Sequence, residues 1–512
     1  MHKLNRMELE IFSTALVVIS LILGSLAAPG EAGAVSPKPA AGVQQKESDA
    51  TNQGMAGKWL GVLDVGGTKL RLVLKIGAGE DNSLRASLDS LDQGAMDLKV
   101  DSIVRTGSSI RAELNDLGAV YEGQVNSERT EILGEWKQGP SALPLTFRRI
   151  TEVPALLRPQ EPQKPYPYTE EEVVYENKQD KVKLAGTLTI PRGAGPHPAV
   201  VLVTGSGPED RNETVAGHKP FLILADYLTR RGIAVLRADD RGVGGSSPGS
   251  AADTSENYAG DALSGIQFLK TRKEINARQI GLIGHSEGGM IVALAAVRST
   301  DVAYLVMLAG PGVPGDQLLY EQARLILKAS GADDELVGYN RSLQQLMIKI
   351  LREERTDASA ERRLRTELPK AIAGVPEEKR KALGITEASM EGQFNMMMSP
   401  WFRYFLAYDP RPILKRVRCP VLAIGGERDL QVPARQNLPA IGEALKAGGN
   451  KDYTTMELPG LNHLLQTSRT GSPAEYTQIE ETISPKALEV IGDWIIKHTT
   501  PRPAAAATNS KQ

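Results

Sequence analysis

The chain has 512 residues, 41% apolar and 24% charged, with a formal net charge of −2. That length calls for two or three units, and a near-neutral balance with no long basic run argues against a nucleic-acid partner. A single cysteine, Cys419, excludes a disulfide within the chain and a cysteine-rich metal site.

In chain order, residues 1–34 read as an export signal. Lys3 and Arg6 precede an apolar run from Ile11 to Ala28, and Ala32-Gly33-Ala34 is a small-x-small cleavage site, with Ser25-Leu26-Ala27 an earlier option. Left uncleaved, residues 11–28 would be just long enough to anchor the chain in a membrane. No cysteine lies near the end of the run, which excludes lipoprotein anchoring. Residues 35–56 are polar and read as a disordered linker.

Residues 57–150 alternate apolar and polar positions over short runs broken by glycines. Strands are expected at 59–63, 70–74, 84–88, 109–114, 119–123 and 131–136, forming an antiparallel sheet or small barrel. Gly57-Lys58-Trp59 and Gly134-Glu135-Trp136 resemble the Gly-x-Trp signatures of lipocalin-like β-domains. Asp64-Val65-Gly66-Gly67-Thr68-Lys69 is similar to the phosphate-binding hairpin of sugar kinases. The same Gly-Gly pair suits a tight hairpin turn, and the short strands that follow lack the βαβ frame a kinase needs.

A proline-rich linker follows at 151–168, then an α/β pattern over 169–498 and a tail at 499–512. After two hairpin strands, Ala199–Val203 is a continuous apolar run, as in a strand buried on both faces. Strands and helices then alternate, which means βα units and a mostly parallel sheet. Residues 312–412 interrupt the alternation with amphipathic helical sequence. An insertion there, after a strand's C-terminal end, would form a cap. Its Met396-Met397-Met398-Ser399-Pro400-Trp401-Phe402-Arg403-Tyr404-Phe405 stretch would either wall an acyl pocket or fasten the cap to the sheet.

Ile280 to Ile283 runs into Gly284-His285-Ser286-Glu287-Gly288 and then a helical stretch. Gly-x-Ser-x-Gly between strand and helix is the pattern of a nucleophile elbow. A serine hydroxyl needs a base to take its proton, and the base needs an acid to fix its tautomer. Of the six histidines, His2 lies in the signal, His197 and His218 precede the serine, His285 adjoins it and His498 ends the last helix. His463, in a loop after the last strand, is the base this leaves. Asp429, in the loop after the preceding strand, is the preferred acid, and Glu427 competes with it. Backbone N–H groups of Glu287 and of Ser206, in Thr204-Gly205-Ser206-Gly207, would receive the oxyanion; losing one donor of this kind typically costs roughly 3 kcal/mol.

The motifs Thr204–Arg211, Ala238–Ser246, Gly284–Gly289 and Gly426–Asp429, followed by His463, resemble the α/β-hydrolase superfamily over roughly residues 168–498. They are most similar to bacterial carboxylesterases of the serine aminopeptidase-like branch. Thr204 departs from the histidine that many members carry before the oxyanion glycine. The resemblance implies an α/β-hydrolase fold with a helical cap, behind a small antiparallel β-domain. It also implies hydrolysis of small-molecule esters through an acyl-serine, without metal or organic cofactor. A peptidase or amidase of the same fold is the alternative, and an envelope binding protein with a degenerate hydrolase a third reading. Asp210, Arg211, Asp239, Asp240 and Arg241 are expected to form an ion-pair network.

Overall fold

The computed structural model describes Asn52 and residues 54–500, apart from 66–67, 80–82, 92–94, 139–140, 155–157, 355 and 386. The expected signal and nearly all of the two expected disordered segments lie outside the described residues. No helix among the described residues is long and apolar enough to cross a membrane.

The N-terminal unit is a curled antiparallel sheet of nine strands: β1 Gly57–Val65, β2 Thr68–Ala78, β3 Leu84–Ser90, β4 Ala95–Lys99, β5 Ser102–Thr106, β6 Ser109–Leu114, β7 Ala119–Val125, β8 Glu131–Gln138 and β9 Ser141–Ile150. Their order is β4-β3-β2-β1-β9-β8-β7-β6-β5, so β4 and β5 are edges and the sheet is open rather than a closed barrel. Strand alternation builds its core: Ile110, Ala112 and Leu114 of β6 and Ala119, Tyr121 and Val125 of β7 all point inward. Trp59 and Trp136, from the two Gly-x-Trp stretches, are buried in the same core. β1 and β2 pair antiparallel with Val65 opposite Thr68; the Gly66-Gly67 pair read as a turn lies outside the described residues.

Three of these strands, β4, β5 and β9, were not expected from sequence. β4 and β5 are five-residue edge strands. β9 carries Pro144, which argues against a central strand. Here the proline lies beyond the stretch of β9 paired with β1, which spans Phe147 to Ile150. It therefore costs no bond on that side.

The second unit follows the predicted alternation closely. Its sheet comprises β10 Thr169–Asn177, β11 Val182–Ile190, β12 His197–Val203, β13 Ala234–Ala238, β14 Ile275–His285, β15 Leu305–Leu308, β16 Val421–Gly426 and β17 Tyr453–Leu458. The order is β10-β11-β13-β12-β14-β15-β16-β17. β11 pairs antiparallel with β10 and β13, and the remaining pairs are parallel. Helices α1 Pro220–Arg230, α2 Ser255–Lys270 and α3 Glu287–Ala296 come between the strands. The cap helices α4 Gly315–Ala329, α5 Asp334–Glu353, α6 Asp357–Ala373, α7 Glu377–Ala382, α8 Glu387–Met397, α9 Pro400–Ala407 and α10 Pro410–Leu414 separate β15 from β16. α11 Ala434–Ala447 and α12 Pro485–Thr499 complete the unit, α12 running one residue beyond the expected boundary.

Both faces of this sheet are covered, which explains the unbroken apolar runs. Val201, Leu236 and Leu282 pack with residues of α2, α3 and α11. Their neighbours Val200, Leu202 and Ile283 pack with Phe221 and Leu228 of α1 and Ile491 and Ile495 of α12. In the cap, Leu327, Leu343, Met347 and Ile350 are buried, while Leu325 and Leu346 are half-buried. The proline-rich linker docks on this unit. Arg158 donates to the carbonyls of Ala216, Gly217 and Ile479, and Gln160 bonds the backbone of Thr482 and Ile483.

Candidate active site

β14 ends at His285 and α3 begins at Glu287, so Ser286 alone makes the turn between them. Its backbone sits at φ 54° and ψ −120°, outside the ordinary regions for a residue with a side chain. The flanking glycines are required by close approach. A β-carbon on Gly284 would lie 2.0 Å from Gly288 O, and one on Gly288 would lie 2.3 Å from Val203 O. The second contact presses the start of α3 onto the end of β12, where the Thr204–Gly207 loop begins. A β-carbon on Gly205 would lie 3.4 Å from Ser286 Cβ, so that loop stands beside the serine.

Asp429 follows β16 and His463 follows β17. His463 Nδ1 donates to Asp429 Oδ2 at 2.9 Å. Asp429 Oδ1 accepts the N–H groups of Gln431 and Val432, each at 2.8 Å. The carboxylate is thereby locked with one oxygen on the backbone and the other on the imidazole. Both residues are buried, at 2% and 4% exposure. With Nδ1 carrying the proton, His463 Nε2 keeps a lone pair. Glu427 faces elsewhere: it accepts the N–H of Gly460 at 3.0 Å and lies 3.5 Å from Arg435 Nη2. The structure therefore brings Asp429, and not Glu427, to His463.

The loop beside Ser286 is fastened at several points. Thr204 Oγ1 lies 3.0 and 2.9 Å from the two carboxylate oxygens of Asp240, and Glu209 N–H donates to Asp240 Oδ2 at 3.0 Å. Thr204 thus anchors the loop through its hydroxyl. Burial pushes the Asp240 carboxyl up to about 8, against these donors. Gly205 N–H donates to Glu213 Oε1 at 2.9 Å and is not aimed at the serine. Glu287 N–H is the first of α3, so it has no acceptor within its helix.

The side chain of Glu287 is buried as well. It accepts from Ser255 Oγ at 2.6 Å and from Trp401 Nε1 at 2.9 and 3.0 Å, and Ser206 also donates to it. Burial raises its carboxyl above the usual range while these donors oppose the shift. One residue thus joins the elbow, the Ser206 loop and cap helix α9. A second polar tie runs from Tyr404 of α9 to Glu256 at 2.5 Å. Met397 and Phe402 are fully buried in the sheet-side core, so they fasten the cap. Trp401, stacked on Phe405 with ring centroids 5.9 Å apart, reaches the elbow.

The expected ion-pair network is divided. Arg211 pairs with Asp239 through two nitrogens, at 3.0 and 2.7 Å. Arg241 turns away to Asp180, Asp253 and Asp261. Asp210 and Asp240 pair with no arginine among the described residues. Asp210 instead holds its own turn through the N–H groups of Asn212 and Thr214.

A serine aminopeptidase S33 family model matches residues 219–368, a span that contains the elbow. Esterase EstD of Thermotoga maritima is 27% identical over 411 residues, covering 78% of this chain and 88% of that protein. The sheet is mixed and eight-stranded, with helices between its strands. The C-terminal unit has the α/β-hydrolase fold. Solved structures similar to this chain include the Pyrococcus furiosus esterase PF2001, at 16% identity and TM-score 0.40, covering 64% of this chain and 91% of that one. The α/β hydrolase GrgF from Penicillium sp. sh18 is 16% identical with TM-score 0.41, covering 64% and 99%.

Two residues of the hydrolase site were not anticipated from sequence. His285, passed over as a base, places its ring against that of His463, with ring centroids 4.8 Å apart. Glu213 lies 72 positions earlier in the chain and meets His285 Nδ1 at 2.9 Å. Its φ of +53°, unusual for glutamate, is the feature that marks it, and that is visible only in the folded chain.

Proposed function

We propose that this α/β-hydrolase cleaves short-chain carboxylic esters through an acyl-Ser286 intermediate. It is a carboxylesterase-type hydrolase, and the observation that carries the mechanism is the locked Asp429–His463 bond. His463 Nε2 takes the Ser286 proton as Oγ attacks the ester carbonyl. Asp429 stabilises the imidazolium that forms. The N–H groups of Glu287 and Ser206 receive the oxyanion. Collapse of the tetrahedral intermediate breaks the ester C–O bond, and the alcohol leaves with the proton held on Nε2. A water then attacks the acyl-serine with His463 again as base, and the acid leaves as Ser286 recovers its proton.

The EstD relative supports ester chemistry, while the serine aminopeptidase description of the matching family favours a second reading, hydrolysis of aminoacyl amides. Purified protein assayed on p-nitrophenyl acetate or butyrate and on aminoacyl p-nitroanilides separates them. The expected result is a higher kcat/KM on the esters; a higher value on the amides would reverse the assignment.

Export is proposed alongside, on the strength of Lys3, Arg6, the run from Ile11 to Ala28 and the Ala32-Gly33-Ala34 site. Protein recovered from the periplasm or medium is expected to begin at Val35. Recovery in the cytoplasm with residues 1–34 intact would contradict it.

A further inference from the structure

Behind the proposed catalytic groups lies a second, buried pair of ionisable side chains. Glu213 is 3% exposed and His285 7%. Glu213 Oε1 accepts Gly205 N–H at 2.9 Å and meets His285 Nδ1 at 2.9 Å. On its other edge, His285 Nε2 lies 3.0 Å from the backbone carbonyl of His463. A carbonyl oxygen only accepts, so Nε2 carries a proton. Nδ1 faces a carboxylate oxygen that is already accepting an amide, so it carries one too. The ring is then an imidazolium and Glu213 its carboxylate partner. Phe221, Leu224, Leu308 and Leu464 line a small apolar cavity against the pair, where opposite charges attract strongly and neither is cheaply left alone.

The three contacts fall on three different parts of the site. Gly205 precedes the proposed oxyanion donor Ser206, His285 precedes the proposed nucleophile Ser286, and the accepting carbonyl belongs to the proposed base His463. We infer that Glu213 and His285 form a charged positioning pair that holds the oxyanion loop and the base loop in register around Ser286. The inference rests on the proposed acyl-serine reading. Neither residue touches the reacting atoms; both act through the backbone they hold. Burial alone would lower the pKa of His285, but the Glu213 charge and hydrogen bond, the His463 carbonyl and the more distant Asp429 charge raise it on balance.

Glu213→Gln tests the pair while keeping the shape of the side chain. With the charge removed, the amide can serve Gly205 N–H or the imidazole but not both in the original manner. The expected result on a short acyl ester is a fall in kcat of roughly 10²-fold or more with KM changed by less than about threefold, the mark of lost transition-state placement. Glu213→Asp, which retains the charge, is expected to recover part of that loss. A kcat of Glu213→Gln equal to wild type would overturn the inference, as would a Glu213→Asp no better than Glu213→Gln. Histidine ring 15N spectra of the unmodified protein provide a test that does not depend on a variant folding. Among its six histidines, one that titrates only with loss of the Ser286 site, and stays doubly protonated at pH 7, is expected, and it should be absent from His285→Gln. A spectrum in which every histidine is neutral at pH 7 would refute the pair. Wild-type protein that neither hydrolyses esters nor reacts with a fluorophosphonate would instead sink the acyl-serine reading, so the two failures are distinguishable.

Discussion

Ser286→Ala is expected to lower kcat on a short acyl ester by at least about 10⁴-fold and to abolish labelling by a fluorophosphonate. The reason is local. Ser286 is the single residue between β14 and α3, and in the proposed mechanism its hydroxyl supplies the atom that bonds to the acyl carbon. Alanine retains the β-carbon, which stands 3.4 Å from where a β-carbon on Gly205 would lie. It also inherits the same φ of 54°, so the elbow persists with its strain unchanged. The melting temperature should therefore match wild type. What remains is whatever the oxyanion donors and substrate binding achieve with water as nucleophile. A variant that keeps more than about one-hundredth of the wild-type rate, or that is still labelled, would show that the nucleophile lies elsewhere.

Asp429→Asn should cost roughly 10⁴-fold in kcat with little effect on folding. Here the structure dictates the direction in which the amide must sit. Oδ1 is held by two backbone N–H groups, those of Gln431 and Val432. The asparagine oxygen must take that position, since an NH2 group there would face two donors. The NH2 is then turned toward His463 Nδ1, which has to become an acceptor. That moves the ring proton to Nε2 and removes the lone pair that would accept the Ser286 proton. Glu427→Gln should leave kcat almost unchanged, because Glu427 bonds Gly460 and Arg435 rather than His463. Paired kinetics on the two variants check this. Equal losses, or a larger loss at Glu427, would reverse the choice of acid.

The same comparison shows where reading by pattern stops. Both acids belong to Gly426-Glu427-Arg428-Asp429, two positions apart in one loop, and nothing in their spacing forces the choice. It is made by the turn after β16, which offers two N–H groups to Asp429 and none to Glu427 on that side. β9 escaped notice for a related reason. Pro144 counts against a strand in isolation, but the position is harmless because pairing with β1 begins only at Phe147. In the cap, the Met397–Phe402 stretch was legible as a hydrophobic contact. That Trp401 would donate to Glu287, 114 positions earlier, was not.

By itself, the sequence determined the elements of this hydrolase. The apolar runs of β12 to β16, the glycine spacing around Ser286, and a histidine in the loop after the last strand follow from local periodicity and from backbone that tolerates no β-carbon. Those signals lie within a few residues of one another. Only the tertiary structure decided which side chains share protons. Glu213 meets His285 across 72 positions, and His285 meets the His463 carbonyl across 178. Such contacts are set by how β12, β14 and β17 deliver their loops to one edge of the sheet. A hydrogen bond depends on direction and on tenths of an ångström, and no spacing along the chain carries that information.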